Sequence, residues 1–299
     1  LHRAEYFRIK IRVFSAMSMP SSLLLTCGNY HFYFGQLWLA VMSQCELPKD
    51  QKIIFQGQQY QLWDVLQQSM WDIYPGKECS WSLIALTRYL DDFDLEWKSS
   101  DGETWTLEKV LQMEADEDLS MSACGGSHRL IGMTMALESQ RKRGGELTDA
   151  WLAAEDKIQG AIEMAQRHQQ PDGSFSTNYF ARPGTSADLA LRINTTGHTL
   201  EFLSLGLDKD QLEEPWIENA VVQLCELFKK TEPIPLECGS LYHAAHGLIE
   251  YRERRFGPWP YLRESQGTEA EITADSDTPV ETQAPRTANE AESQSETRR

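Results

Sequence analysis

The sequence predicts an all-α protein whose body is built from repeated helical hairpins. Apolar residues recur at three- and four-residue spacing in one segment after another, as they do on one face of an α-helix. A short motif that begins with Cys or Thr also recurs, at intervals that suit a pair of helices. No convincing alternation of apolar and polar residues predicts a strand. We therefore expect helices throughout the body, with at most a brief extended piece at residues 53–55.

The helices are predicted in order from this periodicity and from capping and turn residues. Pro75 and Gly76 end the second helix, and Thr148 with Asp149 caps the sixth. A loop rich in turn residues is expected from residue 170 to residue 194. The predicted helical segments are 30–44, 60–74, 80–90, 106–116, 126–142, 148–168, 196–207, 210–230 and 240–255.

The repeated motif divides the body into units. It starts at Cys27, Cys79, Cys124, Thr195 and Cys238, so successive starts are 52, 45, 71 and 43 residues apart. The longest interval contains the predicted loop and is interpreted as one unit with an insertion. In each unit a more amphipathic helix precedes a more apolar one, which needs burial on more than one side. These periods predict stacked or circularly arranged helical hairpins.

Composition predicts the domain boundaries. A hydrophobic fraction of 41% is enough for a sizeable core, so we predict one helical domain at 27–258 after an N-terminal segment at 1–26. Residues 259–299 are rich in acidic residues and poor in large apolar ones, a composition that predicts a disordered acidic tail.

Charge and cysteine content restrict the partners and the compartment. The net charge of −17 argues against nucleic acid, because a phosphate backbone requires clustered Lys and Arg. No apolar run reaches the length of a membrane span. Six dispersed cysteines without a CxxC pair indicate reduced thiols, and we therefore expect a cytoplasmic location.

Three motifs carry a resemblance to a known superfamily: QQPDGSF at 169–175, TGHT at 196–199 and CGSLYHAAHGL at 238–248. Across most of residues 27–256 the chain is similar to the α/α toroid of terpenoid (squalene) cyclases and protein prenyltransferase β subunits. The last two motifs stand at predicted starts of apolar helices. The resemblance implies a ring of six helical hairpins, of which five are visible. The sixth is expected upstream of Leu1 or is missing.

In such a ring the starts of the inner helices meet at one mouth. Helix N-termini carry unpaired N–H groups and partial positive charge, which suit anions. If the 170–194 insertion folds over the mouth, Arg182 and Arg192 join Arg129 as candidates for binding an anionic group. The predicted ligand-binding residues are His128, Arg129, His198, Tyr242, His243 and His246.

A metal site is predicted from Cys124, His198 and Cys238, because thiolate and imidazole together suit zinc. Prenyltransferase-type toroids hold catalytic zinc with an Asp, a Cys and a His, and lanthionine-cyclase-like toroids with two Cys and a His. The resemblance therefore implies zinc as the cofactor. The Asp-x-Cys pattern of the first type is absent here, where Glu237 precedes Cys238. The alternative is that these side chains make only structural polar contacts between helices.

Three functions follow from these observations and stay open at this point. The first is the binding of a small-molecule or peptide-like ligand at the mouth without catalysis. The second is a zinc-assisted transferase or lyase that acts on an apolar or isoprenoid-like substrate, and the third is a non-catalytic assembly domain. The acidic residues at 91–94 fit neither aspartate-rich motif of cyclases, which argues against cyclisation by protonation. No nucleophile elbow or phosphate-binding loop is present.

Overall fold

The computed structural model describes residues 30–55 and 58–257. The predicted segment at 1–26, the first motif at Cys27 and the predicted tail at 259–299 lie outside these residues. The described chain is mostly helical, which confirms the all-α prediction. Its helices are α1 (Tyr30–Gln44), α2 (Leu62–Trp71), α3 (Ser80–Tyr89), α4 (Leu107–Asp116), α5 (Ser127–Lys142), α6 (Asp149–Arg167), α7 (Leu189–Gly206), α8 (Pro215–Thr231) and α9 (Cys238–Phe256).

Two short antiparallel hairpins interrupt the helices. Strands β1 (Lys52–Phe55) and β2 (Gln58–Gln61) pair so that Lys52 faces Gln61, at the place where an extended piece was expected. Strands β3 (Trp97–Lys98) and β4 (Thr104–Trp105) form a second pair that the sequence did not predict. Two residues a strand are too few for an alternating pattern to be recognised. The second hairpin is anchored instead by the buried Trp105, whose indole N–H donates to Ser99 Oγ at 2.9 Å.

The helices pack in two layers. Each of α1, α3, α5 and α7 contacts the next odd-numbered helix, while α2, α4, α6 and α8 pack against these from the other layer. Helices α3, α5 and α7 are more buried than the even-numbered helices, and in α3 every residue except Arg88 is buried. In the hairpins α2–α3, α4–α5 and α6–α7 an amphipathic helix precedes a more buried one, as predicted, whereas in α8–α9 the second helix is no more buried than the first. None of the helices in the described ranges has both the length and the apolar character needed to cross a bilayer.

Glycines bring α7 and α9 close together. A Cβ atom added to Gly197 would lie 2.6 Å from the Cα of Ala244, and one added to Gly247 would lie 2.8 Å from the amide nitrogen of Glu201. Small residues at both positions are therefore required for the two backbones to approach. This contact sets His198 and Glu201 of α7 beside His243 and His246 of α9.

Helix starts differ from the prediction in the second half of the chain. Asp188 caps α7 by accepting from the amides of Ala190 and Leu191, so the helix begins at Leu189 and not at Thr196. His198 consequently lies in the middle of α7, and the expectation that it stands at a helix start was wrong. Apolar periodicity could not locate this start, because the first two turns of α7 are only partly buried.

Candidate metal centre

The centre begins at a tight turn immediately before α5. Cys124, Gly125 and Gly126 have successive positive φ angles of 50°, 61° and 80°. Glycine adopts this left-handed region at low cost, whereas Cys124 does so against a steric penalty. The turn places the thiol of Cys124 beside Tyr179, whose hydroxyl is hydrogen-bonded to it.

Three potential metal ligands converge behind this turn. The ligand atoms of Cys124, His128 and His198 all lie within 4.8 Å of one another. Cys124 and His128 come from the turn and the first helical turn of α5, and His198 comes from the adjacent α7. The rings of His128 and His198 are 5.2 Å apart, centroid to centroid. Separations of this size allow the three atoms to close around a single ion.

Hydrogen bonding leaves the histidine nitrogens available as ligands. Nδ1 of His198 lies 2.8 Å from the carbonyl oxygen of Asn194, which can only accept, so Nδ1 carries the hydrogen and Nε2 carries a lone pair. Within the described residues, Nε2 of His198 and both ring nitrogens of His128 are buried without a hydrogen-bond partner. Leaving buried polar atoms unpaired costs free energy, and binding of a ligand by these three nitrogens would remove that cost.

Burial keeps the two imidazoles neutral, as metal ligands must be. Desolvation, together with neighbouring His243, lowers the pKa of His198 to about 4. Desolvation, then His243 and His198, lowers the pKa of His128 well below its ordinary value. Desolvation also raises the pKa of the Cys124 thiol, although the hydrogen bond from Tyr179 opposes this. A bound cation would favour the Cys124 thiolate.

A buried carboxylate organises the neighbouring histidines. Oε2 of Glu201 is 2.6 Å from Nδ1 of His243, and Oε1 is 2.5 Å from Nδ1 of His246. Burial alone would raise the pKa of Glu201, but His243 and His246 hold it well below its ordinary value. Because an ionised carboxylate only accepts, both histidines donate from Nδ1. On its far side His246 presents Nε2 to Glu250 at 3.2 Å.

These rings form an aromatic group around the centre. His243 packs against His198 with ring centroids 3.8 Å apart and lies 5.2 Å from His128. Trp81 covers the other side of His128 at 4.5 Å. Tyr242 stacks on His246 at 5.5 Å with an interplanar angle of 13°. Five of the six predicted ligand-binding residues therefore belong to one continuous group of rings.

Arg129, the sixth, is engaged elsewhere. Its guanidinium lies 2.9 Å from Oε2 of Glu114, and its Nε donates to Ser122 Oγ at 2.8 Å. Burial raises the pKa of Glu114 to about 7, with Arg129 acting in the opposite direction. Both side chains are buried, and Glu114 also accepts from the amide of Cys79 at 2.6 Å. The pair joins α4 to α5 and the start of α3, which gives Arg129 a structural role here.

Cys238 is the predicted metal ligand that does not join the converging atoms. It is the first residue of α9, half-buried, and follows Glu237, whose carboxylate accepts from the amides of Gly239 and Ser240 at 2.8 Å each. Burial and the charge of Glu237 raise the pKa of the Cys238 thiol. Among the described residues the converging set is thus Cys124 and His198 with His128.

Two members of the site were missed by sequence reasoning. Glu201 is the single charged residue between Thr195 and Leu207, and an isolated acid in an apolar helix was a signal that could have identified it. Tyr179 offered no such signal, because only the turn at Cys124 and the loop before α7 bring it to the thiol.

Comparison of the chain with models of protein families, with curated proteins and with solved structures finds no match. The toroid resemblance therefore stays a prediction from the three sequence motifs.

Proposed function

We propose that the protein is a zinc-dependent enzyme of the α/α toroid type, a transferase or lyase whose metal is held by Cys124, His128 and His198. The convergence of these three ligand atoms within 4.8 Å carries the proposal. The two-layer order of odd- and even-numbered helices supports the toroid. A sixth hairpin would be needed to close the ring.

The number of ligands favours catalysis over a purely structural ion. Structural zinc sites are usually closed by four protein ligands, whereas catalytic sites have three and keep one position for water or substrate. When bound here, zinc would act as a Lewis acid on a water or a thiol in that position. His243 lies beside His198, with its Nδ1 hydrogen held by Glu201. Nε2 is then the nitrogen of His243 that can accept a proton from the reacting group.

Metal analysis of the purified full chain tests the site. We expect stoichiometric zinc in the wild type and its loss in Cys124→Ser, His128→Ala and His198→Ala. Cys225→Ser is the matched control, because Cys225 is an exposed free cysteine on α8. Cys238→Ser distinguishes the observed set from the predicted one and should retain zinc. A wild-type protein without stoichiometric zinc, or zinc retained in His198→Ala, would overturn the assignment.

A second measurement addresses the open position. Cobalt-substituted protein should show a thiolate charge-transfer band that Cys124→Ser removes. Azide should then shift the visible d–d bands by entering the vacant position. A spectrum that azide leaves unchanged would indicate a closed structural site and contradict the enzymatic assignment.

A non-catalytic ligand-binding role is the second candidate. It is favoured by an open cleft that reaches Gly125 and Tyr179 beside the centre. Unlike the enzyme, a protein with this role would not need a metal ion that keeps one coordination position open for exchange.

A further inference from the structure

The strongest unassigned feature is a cleft of about 610 Å³ between α6 and the loop before α7. We call it the Tyr179 cleft. This volume is within the range of small-molecule sites. Gly125 and Tyr179 line the cleft, and both adjoin Cys124. The cleft and the metal centre therefore share one wall.

One face of α6 forms the floor of the cleft. Lys157, Gly160, Ala161 and Met164 recur at the spacing of a single helix face. A Cβ atom added to Gly160 would meet nothing within 4 Å, so this glycine leaves open space in the floor. Leu119 and Phe180 add apolar walls from the two flanking loops. The interior offers an apolar ligand body continuous contact.

The charges at the rim are opposite to those of the whole chain. Lys157 and Arg182 line the cleft, with Asp118 as its one acidic lining residue. Desolvation and the charge of Arg129 lower the pKa of Lys157, whereas Asp118, Asp116 and Glu117 raise it, and its Nζ donates to the carbonyl of Glu117. The whole protein carries −17. Two cationic side chains against one acidic lining residue, on a strongly acidic molecule, make this cleft a place where an anionic group can bind.

We infer that the Tyr179 cleft binds a small amphipathic anion, whose phosphate or carboxylate group lies on Lys157 and Arg182 and whose apolar body lies along Met164 and Phe180. If this anion is the substrate of the enzyme, the inference rests on the proposed function, because Tyr179 lies between the bound molecule and the metal centre. As a binding site, it stands on the cleft and its charges alone. The strongly negative chain disfavours an anionic membrane, so the ligand is a soluble molecule.

Isothermal titration of the zinc-loaded full chain tests the ligand class with four probes: octyl phosphate, octanoate, octanol and inorganic phosphate. We expect at least one of the two amphipathic anions to bind at least about tenfold more tightly than octanol and inorganic phosphate. Octanol lacks the anionic group, and inorganic phosphate lacks the apolar body. The better of the two anions identifies the head group. Equal affinity for octanol, or for inorganic phosphate, would overturn the inference.

Variants locate the anion. Arg182→Gln and Lys157→Gln should each weaken binding of the better probe about tenfold. Lys229→Gln is the matched control, because Lys229 is an exposed cation on α8, and it should leave the affinity unchanged. Gly160→Leu should abolish binding by filling the floor, and its unfolding curve checks that it is folded. Unchanged affinity in both Gln variants would overturn the inference.

Two further outcomes separate this site from the metal and from a membrane. If His198→Ala abolishes binding while Arg182→Gln and Lys157→Gln retain it, the anion binds to zinc and the proposed cleft site is rejected. Binding that depends on Arg182 in protein shown to be free of zinc would instead remove the proposed enzyme and leave the cleft. Sedimentation with phosphatidylglycerol vesicles that Arg182→Gln prevents would assign the patch to a membrane surface and overturn the small-molecule ligand.

Discussion

Cys124 and Tyr179 are hydrogen-bonded to each other, and both hold a left-handed backbone conformation, with φ of 50° and 53°. Among the described residues Glu46 is the one other non-glycine residue with positive φ. Such backbone conformations cost about 1–3 kcal/mol each and tend to cluster at functional sites. Two of these three residues therefore lie in the side wall shared by the candidate metal centre and the Tyr179 cleft.

This strain can be measured at Cys124. We expect Cys124→Gly to be more stable than Cys124→Ala by about 0.5–1 kcal/mol, because glycine relieves the left-handed strain but gains more entropy on unfolding. Urea unfolding in the presence of a chelator gives both free energies without a metal contribution. A glycine variant less stable than the alanine variant would show that the backbone at Cys124 is not strained.

The buried carboxylate of Glu201 supports the histidine group. Glu201→Gln keeps one acceptor oxygen but turns an amide N–H₂ toward the second histidine, so one donor loses its partner. We expect unfolding to become easier by about 2–4 kcal/mol. Urea unfolding measures the change, with Glu163→Gln on the exposed face of α6 as the control that should unfold like the wild type. Equal stability of the two variants would mean that Glu201 is not a required acceptor.

The stability of the metal-free protein should depend on the charge of His198. Its folded-state pKa is about 4, below the ordinary value of 6.5, so the folded state resists protonation while the unfolded state accepts it. The contribution of His198 is therefore fully present above pH 6.5. It is lost as the pH falls toward 4, by about 3 kcal/mol for a folded-state pKa of about 4.

The measurement compares unfolding free energies of wild type and His198→Phe across this pH window. His128 acts in the same sense, whereas Glu114, with its raised pKa, acts in the opposite sense over a similar window. The difference between the two proteins reports His198 together with its effect on the pKa of His128. It should shrink as the pH is lowered, and a difference that is constant from pH 7 to pH 4 would contradict a depressed pKa.

Close contact between α7 and α9 is tested at Gly197. Gly197→Ala would place a Cβ atom 2.6 Å from the backbone of Ala244, so the helices must separate. We expect a loss of about 1–3 kcal/mol and weaker zinc binding, since His198 moves with α7. Gly160→Ala is the matched control within a helix. Its Cβ meets nothing within 4 Å, and it should gain about 0.5–1 kcal/mol. Equal effects of the two substitutions would show that α7 and α9 are not closely packed.

Most helices were predictable because their information is local. The 3–4 spacing of Leu62, Leu66 and Met70 places them on one buried face of α2, as the structure has it. The start of α7 could not be predicted in this way, because it depends on the capping carboxylate of Asp188 in a segment whose sequence resembles a loop. Hairpin β3–β4 was not predicted for a related reason, since Trp97 holds it through a hydrogen bond to the distant carbonyl of Met70.

The amino-acid sequence alone determined where most of the helices lie, the order of an amphipathic before a more buried helix in the hairpins from α2 to α7, and the residue types able to bind a metal. All of these depend on neighbours within one or two turns. Only the tertiary structure decided that His128 joins Cys124 and His198 while Cys238 stays at the start of α9, and that Glu201 and Tyr179 complete the site. These side-chain positions depend on how closely α5, α7 and α9 pack. Gly197 and Gly247 allow α7 and α9 to approach, but their effect appears only in the packed tertiary structure.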